Sequence, residues 1–280
     1  MNKNIPQTTG VIISTYNNPR WLERTLWGYS RQSHQPDEIV IADDGSTDET
    51  RGLILSYCGV LPIKHVWHED RGFQKSEILN KALVAATSDY LIFTDQDCIP
   101  RSDFVATHRA NARRGHFISG GYFKLTMDVS ESVTQGDIES GAVFSPRWLR
   151  EHGQPLSFKM TKLLGREWFA KMMNTITPTR ATWNGCNSSC WRTDALAVNG
   201  YNEDMHYGGQ DCEFGERLVN MGIEPIQMRY SAIVAHLDHK RPYKTRESIE
   251  ANIAIRRNTR ERHIVRTPNG IEKLGEAAER

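Results

Sequence analysis

The sequence predicts an α/β fold in which a mainly parallel sheet is flanked by helices. Short β-forming runs alternate with helical patterns through the first 120 residues, and this alternation is typical of parallel sheets with right-handed crossovers. The β-forming runs are continuously apolar, which indicates that both faces of the sheet are covered. Polar residues follow three of these runs, at the edge of the sheet where ligands bind in such folds.

The predicted elements of this first part follow one another closely. The strands are residues 10–15, 37–43, 63–67 and 89–95. The helices lie near residues 18–32, 47–57 and 74–87. Gly45 and Ser46 allow the tight turn that opens the second helix. The third helix places apolar residues at helical spacing from Ile78 to Ala86.

The alternation ends near residue 120. Residues 121–182 predict helices and loops, and a turn-rich stretch from Trp183 leads into a short helix. The glycine pair before Gln210 opens a further helix. Residues 223–242 predict one or two strands that end in histidines, and the basic tail from residue 244 predicts a helix.

Composition narrows the class of protein. Lys and Arg together number 35, and Asp and Glu number 34. This balance gives no electrostatic reason to expect nucleic acid as a partner. No apolar run approaches the roughly 20 residues that cross a bilayer, and the N-terminal residues lack the apolar core of a secretion signal. We therefore expect a cytoplasmic protein.

The five cysteines favour the same compartment. None stands in a CxxC pair, and the spacing of Cys186 and Cys190 is weak evidence for a zinc site because no second pair supports it. The simpler interpretation is that all five are reduced thiols in the cytosol.

Two carboxylates end the fourth strand, in the sequence "TDQDC". Side chains alternate along an extended backbone, so Asp95 and Asp97 are expected to face one ligand. Adjacent carboxylates repel unless a cation or a shared proton relieves them. Oxygen ligands suit Mg²⁺ or Mn²⁺, especially when substrate phosphates complete the shell. The alternative is a loop start in which Asp95 caps the loop and Asp97 is solvated.

Further polar clusters follow at neighbouring positions. In "ADDGSTDE", a single aspartate would suffice as a cap, so Asp43 or Asp44 is a candidate for binding a base or a ribose, with a plain helix-entry turn as the alternative. Arg71 and Lys75, before and at the start of the third helix, could offer charge to a diphosphate or could be ordinary solvated surface.

The second half contributes an acid and two histidines. Asp211 lies in the first turn of a helix, where the helix dipole favours a carboxylate; it is either an ordinary helix-start acid or a general base for a hydroxyl. His236 and His239 follow an apolar strand. Either imidazole could be a third metal ligand beside the D-x-D pair, or it could be structural.

With these residues assembled, the chain resembles the inverting nucleotide-sugar glycosyltransferases of family 2. The resemblance covers about residues 10 to 240. It is carried by "VIISTYNNPRWLERTLWGYSRQSHQPDEIVIADDGSTDET", "RGFQKSEILNKALVAATSDYLIFTDQDCIP", "GCNSSCWRTDALAVNGYNED" and "GGQDCEFGERL". The last two stretches look like the acceptor region shared with galactosyltransferases and chondroitin-type polymerases.

The resemblance implies a GT-A-type, Rossmann-like nucleotide-diphospho-sugar transferase fold in one catalytic domain. It implies a nucleotide-sugar half at about 8–120, an acceptor half at about 121–240 and a basic helical tail at 241–280. It also implies Mn²⁺ or Mg²⁺ as cofactor, a UDP-sugar as donor and a glycan or lipid-linked glycan as acceptor. The activity it implies is transfer of a hexose or N-acetylhexosamine in bacterial surface polysaccharide biosynthesis.

Site roles follow from the resemblance, position by position. Asp211 corresponds to the catalytic base. The expected nucleotide-sugar-binding residues are Thr15, Asn17, Asp43, Asp44, Arg71, Lys75, Asp95 and Gln96. The expected metal ligands are Asp95, Asp97 and His236, with His239 as the competing histidine. The expected acceptor-binding residues are Trp183, Asn184, Tyr207, Gly209, Gln210 and Glu213. Gln210 and Tyr207 depart from the family pattern, which commonly has an acid and a tryptophan there.

Other functions fit the residues less well. A phosphatase of the haloacid dehalogenase type also uses D-x-D, but its motif usually lies near the N-terminus and has Thr or Val where this chain has Ile99. A nucleotidyltransferase favours a glycine-rich basic loop after its first strand, unlike "STYNNPR". A non-catalytic sugar-nucleotide-binding homologue is the alternative from another class, and Gln210 favours it.

The basic tail leaves a question of location. Residues 244–266 carry Lys244 and six arginines against three glutamates. This segment could contact an anionic membrane at the inner face of the plasma membrane. The favoured alternative is a solvated helix that closes the domain.

Overall fold

Eight strands form one sheet in the residues that the computed structural model describes, which are 5–165, 167–179, 181–240 and 245–273. The strands are β1 (Thr9–Thr15), β2 (Glu38–Asp43), β3 (Ile63–Trp67), β4 (Tyr90–Asp95), β5 (Cys98–Pro100), β6 (His116–Lys124), β7 (Ser188–Trp191) and β8 (Glu224–His236). Their order across the sheet is β3-β2-β1-β4-β7-β6-β8-β5.

Helices cover both faces of the sheet. The α-helices are α1 (Pro19–Ser30), α2 (Asp48–Tyr57), α3 (Lys75–Ala85), α4 (Phe104–Asn111), α5 (Met127–Ser132), α6 (Gln135–Glu139), α7 (Pro146–Glu151), α8 (Glu167–Ile176), α9 (Arg192–Ala197), α10 (Gln210–Asn220) and α11 (Arg246–Glu261). Two 3₁₀ helices span Ala142–Phe144 and Phe158–Leu163. Within the described ranges, no helix has both the length and the apolar character that a bilayer-spanning segment requires.

The predicted parallel half of the sheet is confirmed. β1 pairs in parallel with β2 and β4, and β2 pairs in parallel with β3. The carboxyl ends of β1 and β4 therefore lie side by side, with Ser14 opposite Asp95 in the register. This register brings the polar residues that follow the two strands to one edge.

The second half of the sheet differs from the prediction. Residues 121–182 were expected to be helices and loops, but β6 extends to Lys124, and β7 forms inside the turn-rich stretch. β7 reads "SSCW" and lacks an apolar run, so its sequence gives no strand signal. Both serines of β7 are nevertheless buried. Hydrogen bonds make this possible for Ser189, whose Oγ lies 2.8 Å from the Tyr90 hydroxyl and 2.7 Å from His108 Nδ1.

Both faces of the central strands are buried, as the continuous apolar runs predict. Val11 and Ile13 pack on one face with Leu22 and Leu26 of α1. Ile12 and Val40 pack on the other face with the apolar side of α3, which consists of Ile78, Leu79, Ala82 and Leu83. The core thus fixes the ends of the central strands from both sides.

The tail is a helix, as predicted, over Arg246–Glu261. α11 packs against α10: both Arg256 and Arg260 pair with Glu216, at 2.7 and 2.8 Å. The buried Asn252 side chain donates hydrogen bonds to the backbone carbonyls of His206 and Gly208. α11 therefore holds the loop that leads into α10. Lys244 lies outside the described residues.

Candidate functional site

A cleft of about 1140 Å³ opens at the carboxyl ends of β1 and β4. Its walls are the β1–α1 loop, the turn between β4 and β5, the loop before β7, the start of α10 and the end of β8. This is the edge of the sheet that was predicted from the sequence to bind the ligand. The second half of the chain supplies the opposite wall.

Asp97 is the centre of a carboxylate–histidine cluster in this cleft. It lies in the turn after β4 and is only 5% exposed. His239 Nε2 is 2.9 Å from Asp97 Oδ2, and His236 Nδ1 is 3.8 Å from the same oxygen. Burial raises the pKa of Asp97, but His236 and then His239 outweigh burial and lower this pKa to about 2. Asp97 is therefore a carboxylate at neutral pH.

The strand pairing explains why these groups converge. β5 pairs antiparallel with β8, and Cys98 lies opposite His236 in the register. The Leu237 backbone N–H also donates to the Asp97 carbonyl at 2.8 Å. Residues almost 140 positions apart are thus held at hydrogen-bonding distance by backbone pairing, and the two candidate histidines both lie beside Asp97.

The cluster has the donor chemistry of a divalent metal site. Donor atoms of Asp97, Cys98 and His236 lie within 4.8 Å of one another. Burial raises the pKa of the Cys98 thiol well above its usual value, so the effective donors are the carboxylate and imidazole. The His236 ring donates through Nδ1 to the Leu237 carbonyl at 2.8 Å, which leaves Nε2 with the lone pair in the neutral ring.

Asp95 occupies a different environment from Asp97. Its Oδ1 accepts hydrogen bonds from Ser14 Oγ and Lys75 Nζ, both at 2.6 Å. Asp95 and Asp97 were expected to face the same way because residues two apart on an extended strand do so, but Gln96 and Asp97 form a turn and the backbone is not extended there. The two aspartates line the same cleft, but Asp95 faces a lysine and Asp97 faces the histidines.

Lys75 provides the positive charge on the floor of the cleft. It is the first residue of α3, and its side chain is mostly buried. Burial alone would lower the pKa of Lys75, but Asp95, Asp211 and Asp97 together raise it above its usual value. Lys75 is consequently a permanent cation that lies among three carboxylates.

Asp211 faces this cation from the start of α10. Its Oδ1 is buried and has no hydrogen-bond partner among the described residues. Burial raises the pKa of Asp211, Lys75 opposes the rise, and Asp95 adds to it. Gly185 packs directly on the carboxylate, since a Cβ at Gly185 would lie 2.5 Å from Asp211 Oδ1. A desolvated carboxylate in a cleft, with one oxygen unpaired and with the Gly185 backbone N–H and Lys75 beside it, can accept a proton.

Some of the residues predicted to bind the nucleotide line the cleft, and others lie outside it. Thr15 and Gln96 line the cleft and are joined by a 2.5 Å hydrogen bond from Thr15 Oγ1 to Gln96 Oε1. Asn17 also lines it, in a left-handed conformation with φ of 42°. Its side-chain oxygen accepts from Thr47 N at 2.9 Å, so Asn17 ties the first loop to the second.

The paired aspartates after β2 point to different surroundings. Asp44 lines the cleft and is bonded to His68 Nε2 at 2.7 Å. Asp43 is fully buried behind the cleft, where it accepts from Ser46 N and contacts His65 Nε2 at 2.8 Å. The alternative interpretation of Asp43, a helix-entry turn, matches these contacts.

Arg71 also lies away from the cleft wall. Its side chain is exposed and pairs with Glu77 Oε1 at 3.3 Å. The neighbouring Gly72 and Phe73 line the cleft instead. The structure therefore does not bring Arg71 together with Lys75.

The acceptor-side residues are divided in the same way. Asn184, Tyr207, Gly209 and Gln210 line the cleft. Trp183 lines it only marginally, because it is 1% exposed and packs edge-to-face on Phe93 and Phe214 in the core.

Glu213 requires a correction. It was expected to border the acceptor, but it is 1% exposed, does not line the cleft and forms a buried ion pair with Arg217, at 2.9 Å. Position 213 is two residues after Asp211 on a helix, which turns its side chain away from the cleft face.

Sequence reasoning missed several residues of the site. Ser14, which bonds Asp95, is concealed inside the apolar run of β1. His68, which bonds Asp44, follows β3 and has the same strand-end position as the residues that were recognised. Gly185 gives a weak signal as the centre of the "WNGC" turn. The contacts of His68 could have been anticipated from the strand-end rule.

Two family models match the chain. The model described as "Glycosyl transferase family 2" matches residues 10–164. The model described as "N-terminal domain of galactosyltransferase" matches residues 174–245. The boundary between the matches falls within the segment that carries the second 3₁₀ helix and α8.

Curated relatives match over most of this chain. It is 27% identical to "Validoxylamine A glucosyltransferase" of Streptomyces hygroscopicus subsp. limoneus, over 94% of this chain and 58% of the relative. It is 27% identical to "Chondroitin synthase" of Pasteurella multocida (strain Pm70), over 79% of this chain and 24% of the relative. The chain thus spans little more than half of the first relative and about a quarter of the second.

Solved structures share its fold. A mannosyltransferase from Pyrobaculum calidifontis, in complex with GDP-Man and Mn²⁺, superposes with a TM-score of 0.56 at 19% identity, covering 85% of this chain and 59% of that one. TarS 1-349 of S. aureus, in complex with UDP-GlcNAc, superposes with a TM-score of 0.57 at 16% identity, covering 85% of this chain and 60% of that one.

Proposed function

Because this chain belongs to glycosyl transferase family 2 and has the GT-A fold that its motifs predict, we propose that it is a metal-dependent inverting glycosyltransferase. It moves a hexose or N-acetylhexosamine from a UDP-sugar to a hydroxyl of a glycan or glycolipid acceptor, in bacterial surface polysaccharide biosynthesis. The observation that carries the proposal is the buried, unpaired Oδ1 of Asp211, in the same cleft as Lys75 and the Asp97–histidine cluster.

Asp211 is the general base in this mechanism. Its carboxylate takes the proton from the acceptor hydroxyl as that oxygen attacks the anomeric carbon of the donor sugar. The new carbon–oxygen bond forms on the face opposite the diphosphate, and the bond from the anomeric carbon to the diphosphate oxygen breaks with its electron pair. A single displacement inverts the configuration, so an α-linked donor gives a β-linked product.

Charge on the leaving group is the second requirement of the reaction. Asp97 and His236, with His239 as the alternative nitrogen donor, would hold a divalent ion, which when bound would supply positive charge to the departing diphosphate. Because Mg²⁺ prefers oxygen ligands, an imidazole in the shell favours Mn²⁺. Lys75 adds a fixed cation to the same floor of the cleft.

The nucleotide and the acceptor occupy opposite walls in this proposal. Thr15, Asn17, Asp44 and Gln96 contact the uridine part, and Asp43 supports them from behind through the Ser46 turn. The acceptor lies against the wall formed by Asn184, Tyr207, Gly209 and Gln210. The relatives named above, which include a glucosyltransferase and a chondroitin synthase, support a hexose or hexosamine donor.

A nucleotide-sugar panel tests this function. We expect the purified chain to release UDP from one or more UDP-sugars when Mn²⁺ or Mg²⁺ is present and to stop when EDTA is added. Asp211→Asn should lower turnover by about 100-fold to 10,000-fold, the usual contribution of a general base, and should retain donor binding in calorimetry. Asp48→Asn is the matched control, because Asp48 is also an acid in the first turn of a helix but is exposed outside the cleft.

Each alternative has its own outcome in this assay. Release of inorganic phosphate from a phosphate ester would indicate the phosphatase. Tight donor binding with no turnover in the unaltered protein, whatever acceptor is supplied, would indicate the non-catalytic homologue. Near-normal turnover of Asp211→Asn would remove Asp211 from the mechanism while leaving the transferase activity itself intact.

A further inference from the structure

Large apolar side chains project to solvent between residues 156 and 176. Three lie in or beside the 3₁₀ helix Phe158–Leu163, and three lie along α8. They are Leu156, Phe158, Leu164, Trp168, Met172 and Ile176, and we refer to them as the 156–176 surface. Phe158 is 74% exposed and Trp168 is 62% exposed. Exposed apolar side chains this closely spaced mark an interaction site more often than chance.

The packing of α8 explains why this face points outward. Phe169 packs edge-to-face on Tyr230 with 6.1 Å between ring centroids, and Asn174 bonds Tyr230 N and Ser231 Oγ of β8. The inner face of the helix is therefore fixed against the sheet. The outer apolar residues follow one another at intervals of four, so they form one stripe along the opposite face.

The 3₁₀ helix is held in the same manner. Met160 and Leu163 are buried in the core beneath it, and this anchoring leaves Phe158 and Leu164 on the outside. A shallow groove of about 520 Å³ lies between them and Leu156. Leu164 is four positions before Trp168, which limits the distance between their Cα atoms to about 15 Å.

A cluster of basic residues borders this apolar surface. Burial, followed by Arg229 and Lys159, lowers the pKa of Lys162 to about 8. In the described part of the chain, no carboxylate pairs with Lys159, Lys162 or Arg229 within 4.0 Å. Like charges held together without a counter-ion attract an anion.

We propose that the 156–176 surface binds an anionic lipid bilayer. The apolar side chains enter the boundary between headgroups and acyl chains, and the basic cluster contacts the lipid phosphates. An outward-facing apolar stripe with tryptophan and phenylalanine beside lysine is the composition of helices that lie in a membrane interface. A second copy of the chain fits less well, because a symmetric contact would bring the same basic cluster against itself.

The 156–176 surface lies next to the cleft. Lys162 Nζ donates to the backbone carbonyl of Tyr122 at 3.2 Å, and Tyr122 lines the cleft. A bilayer at the 156–176 surface therefore lies beside the cleft mouth, within short reach of a lipid-anchored acceptor. This consequence rests on the proposed function, whereas the membrane contact itself does not.

Vesicle sedimentation of the full chain tests the proposal. We expect it to bind vesicles of phosphatidylglycerol mixed with phosphatidylcholine, and to bind pure phosphatidylcholine more weakly. The double variant Phe158→Ser/Trp168→Ser should lower the partition coefficient by roughly tenfold or more. Lys159→Gln and Lys162→Gln should each lower it by roughly fivefold, on anionic vesicles alone.

Matched controls separate this surface from general stickiness and from the tail. Leu55→Ser/Val60→Ser removes two exposed apolar side chains elsewhere and should bind like the unaltered protein, as should Arg257→Gln/Arg262→Gln in the tail region. Thermal melting should be unchanged in every variant except Lys162→Gln, because the other replaced residues are exposed, whereas Lys162 is partly buried and bonds the Tyr122 carbonyl.

Three results would overturn the proposal. They are no vesicle binding by the unaltered chain, undiminished binding by Phe158→Ser/Trp168→Ser, and loss of binding in the tail variant alone. If sedimentation velocity instead shows a dimer that Phe158→Ser/Trp168→Ser dissociates, with no vesicle binding, the occupant is a second copy and the lipid proposal fails. Asp211→Asn should bind vesicles as the unaltered protein does. The vesicle assay therefore tests the membrane proposal independently of whether Asp211 is the catalytic base.

Discussion

Replacing Glu213 by Gln distinguishes a structural acid from an acceptor-binding one. The single Nε–H of Arg217 is shared by the two carboxylate oxygens of Glu213, at 2.9 and 3.0 Å, and Glu213 also accepts from Thr259 Oγ1 at 3.0 Å. Arg217 also donates to the Val198 and Gly200 carbonyls. The pair therefore joins α10, α11 and the loop after α9.

The loss of folding stability expected for Glu213→Gln follows from the burial of the ion pair. Arg217 is fully buried and Glu213 is 1% exposed, so Glu213→Gln leaves a guanidinium in the interior without a compensating charge. Breaking a buried ion pair in this way destabilises a protein by about 3–5 kcal/mol. At roughly 2–4 °C per kcal/mol for a chain of this size, the melting temperature should fall by about 6–20 °C.

Thermal unfolding followed by circular dichroism measures this effect. Glu216→Gln is the matched comparator, because Glu216 lies one turn along on α10 and also pairs with arginine, but at a partly exposed position where a pair is worth about 0.2–1 kcal/mol. At a temperature where Glu213→Gln is folded, the KM for the acceptor should be unchanged. A melting temperature no lower than that of Glu216→Gln, together with a raised acceptor KM, would refute the structural assignment.

Three further predictions concern the cleft. Gly185→Ala should lower kcat by about 100-fold, because the new Cβ would lie 2.5 Å from Asp211 Oδ1 and would displace the base. The control Gly59→Ala places its Cβ in open space and should leave kcat unaffected; similar kcat values for the two variants would show that Asp211 has room to move. A general base works only when it is ionised, so activity is lost as the pH falls through the pKa of Asp211. Lys75→Met removes the cation that opposes the raised pKa of Asp211, so the acidic limb of the kcat/KM profile should move to higher pH; an unmoved limb would show that Lys75 does not influence the pKa of Asp211. Asp97→Asn should raise the Mn²⁺ concentration for half-maximal UDP release by roughly tenfold or more, and an unchanged Mn²⁺ response would place the metal elsewhere.

The parallel half of the fold could be predicted from local sequence. Three of the first four strands, β1, β2 and β4, are short apolar runs that end in a polar cluster. The helix after β1 has a local start signal in Asn18 and Pro19. These signals act over a few residues and are independent of the rest of the chain. The predicted boundaries lie within two residues of the observed ones.

Of the later strands, β8 was predicted from the apolar run that ends in histidines, whereas β6 and β7 were not. β7 is a four-residue segment, "SSCW", in which the Ser189 hydroxyl is hydrogen bonded to Tyr90 and His108. The run that forms β6 contains Gly120 and Gly121, which weaken a strand signal. A Cβ at Gly121 would lie 2.0 Å from the Arg229 carbonyl of β8, so the glycine is required by a distant strand.

The sequence by itself determined the fold class, the edge of the sheet that carries the cleft and the identity of its principal acids, because strand-end polarity is a local property. Only the tertiary structure decided how those groups are paired. It joined Asp95 to Lys75, brought two histidines to Asp97 through the β5–β8 pairing, and turned Glu213 into the interior. The physical reason is that a side chain's charge environment depends on residues distant in sequence, whereas its backbone conformation depends largely on its neighbours.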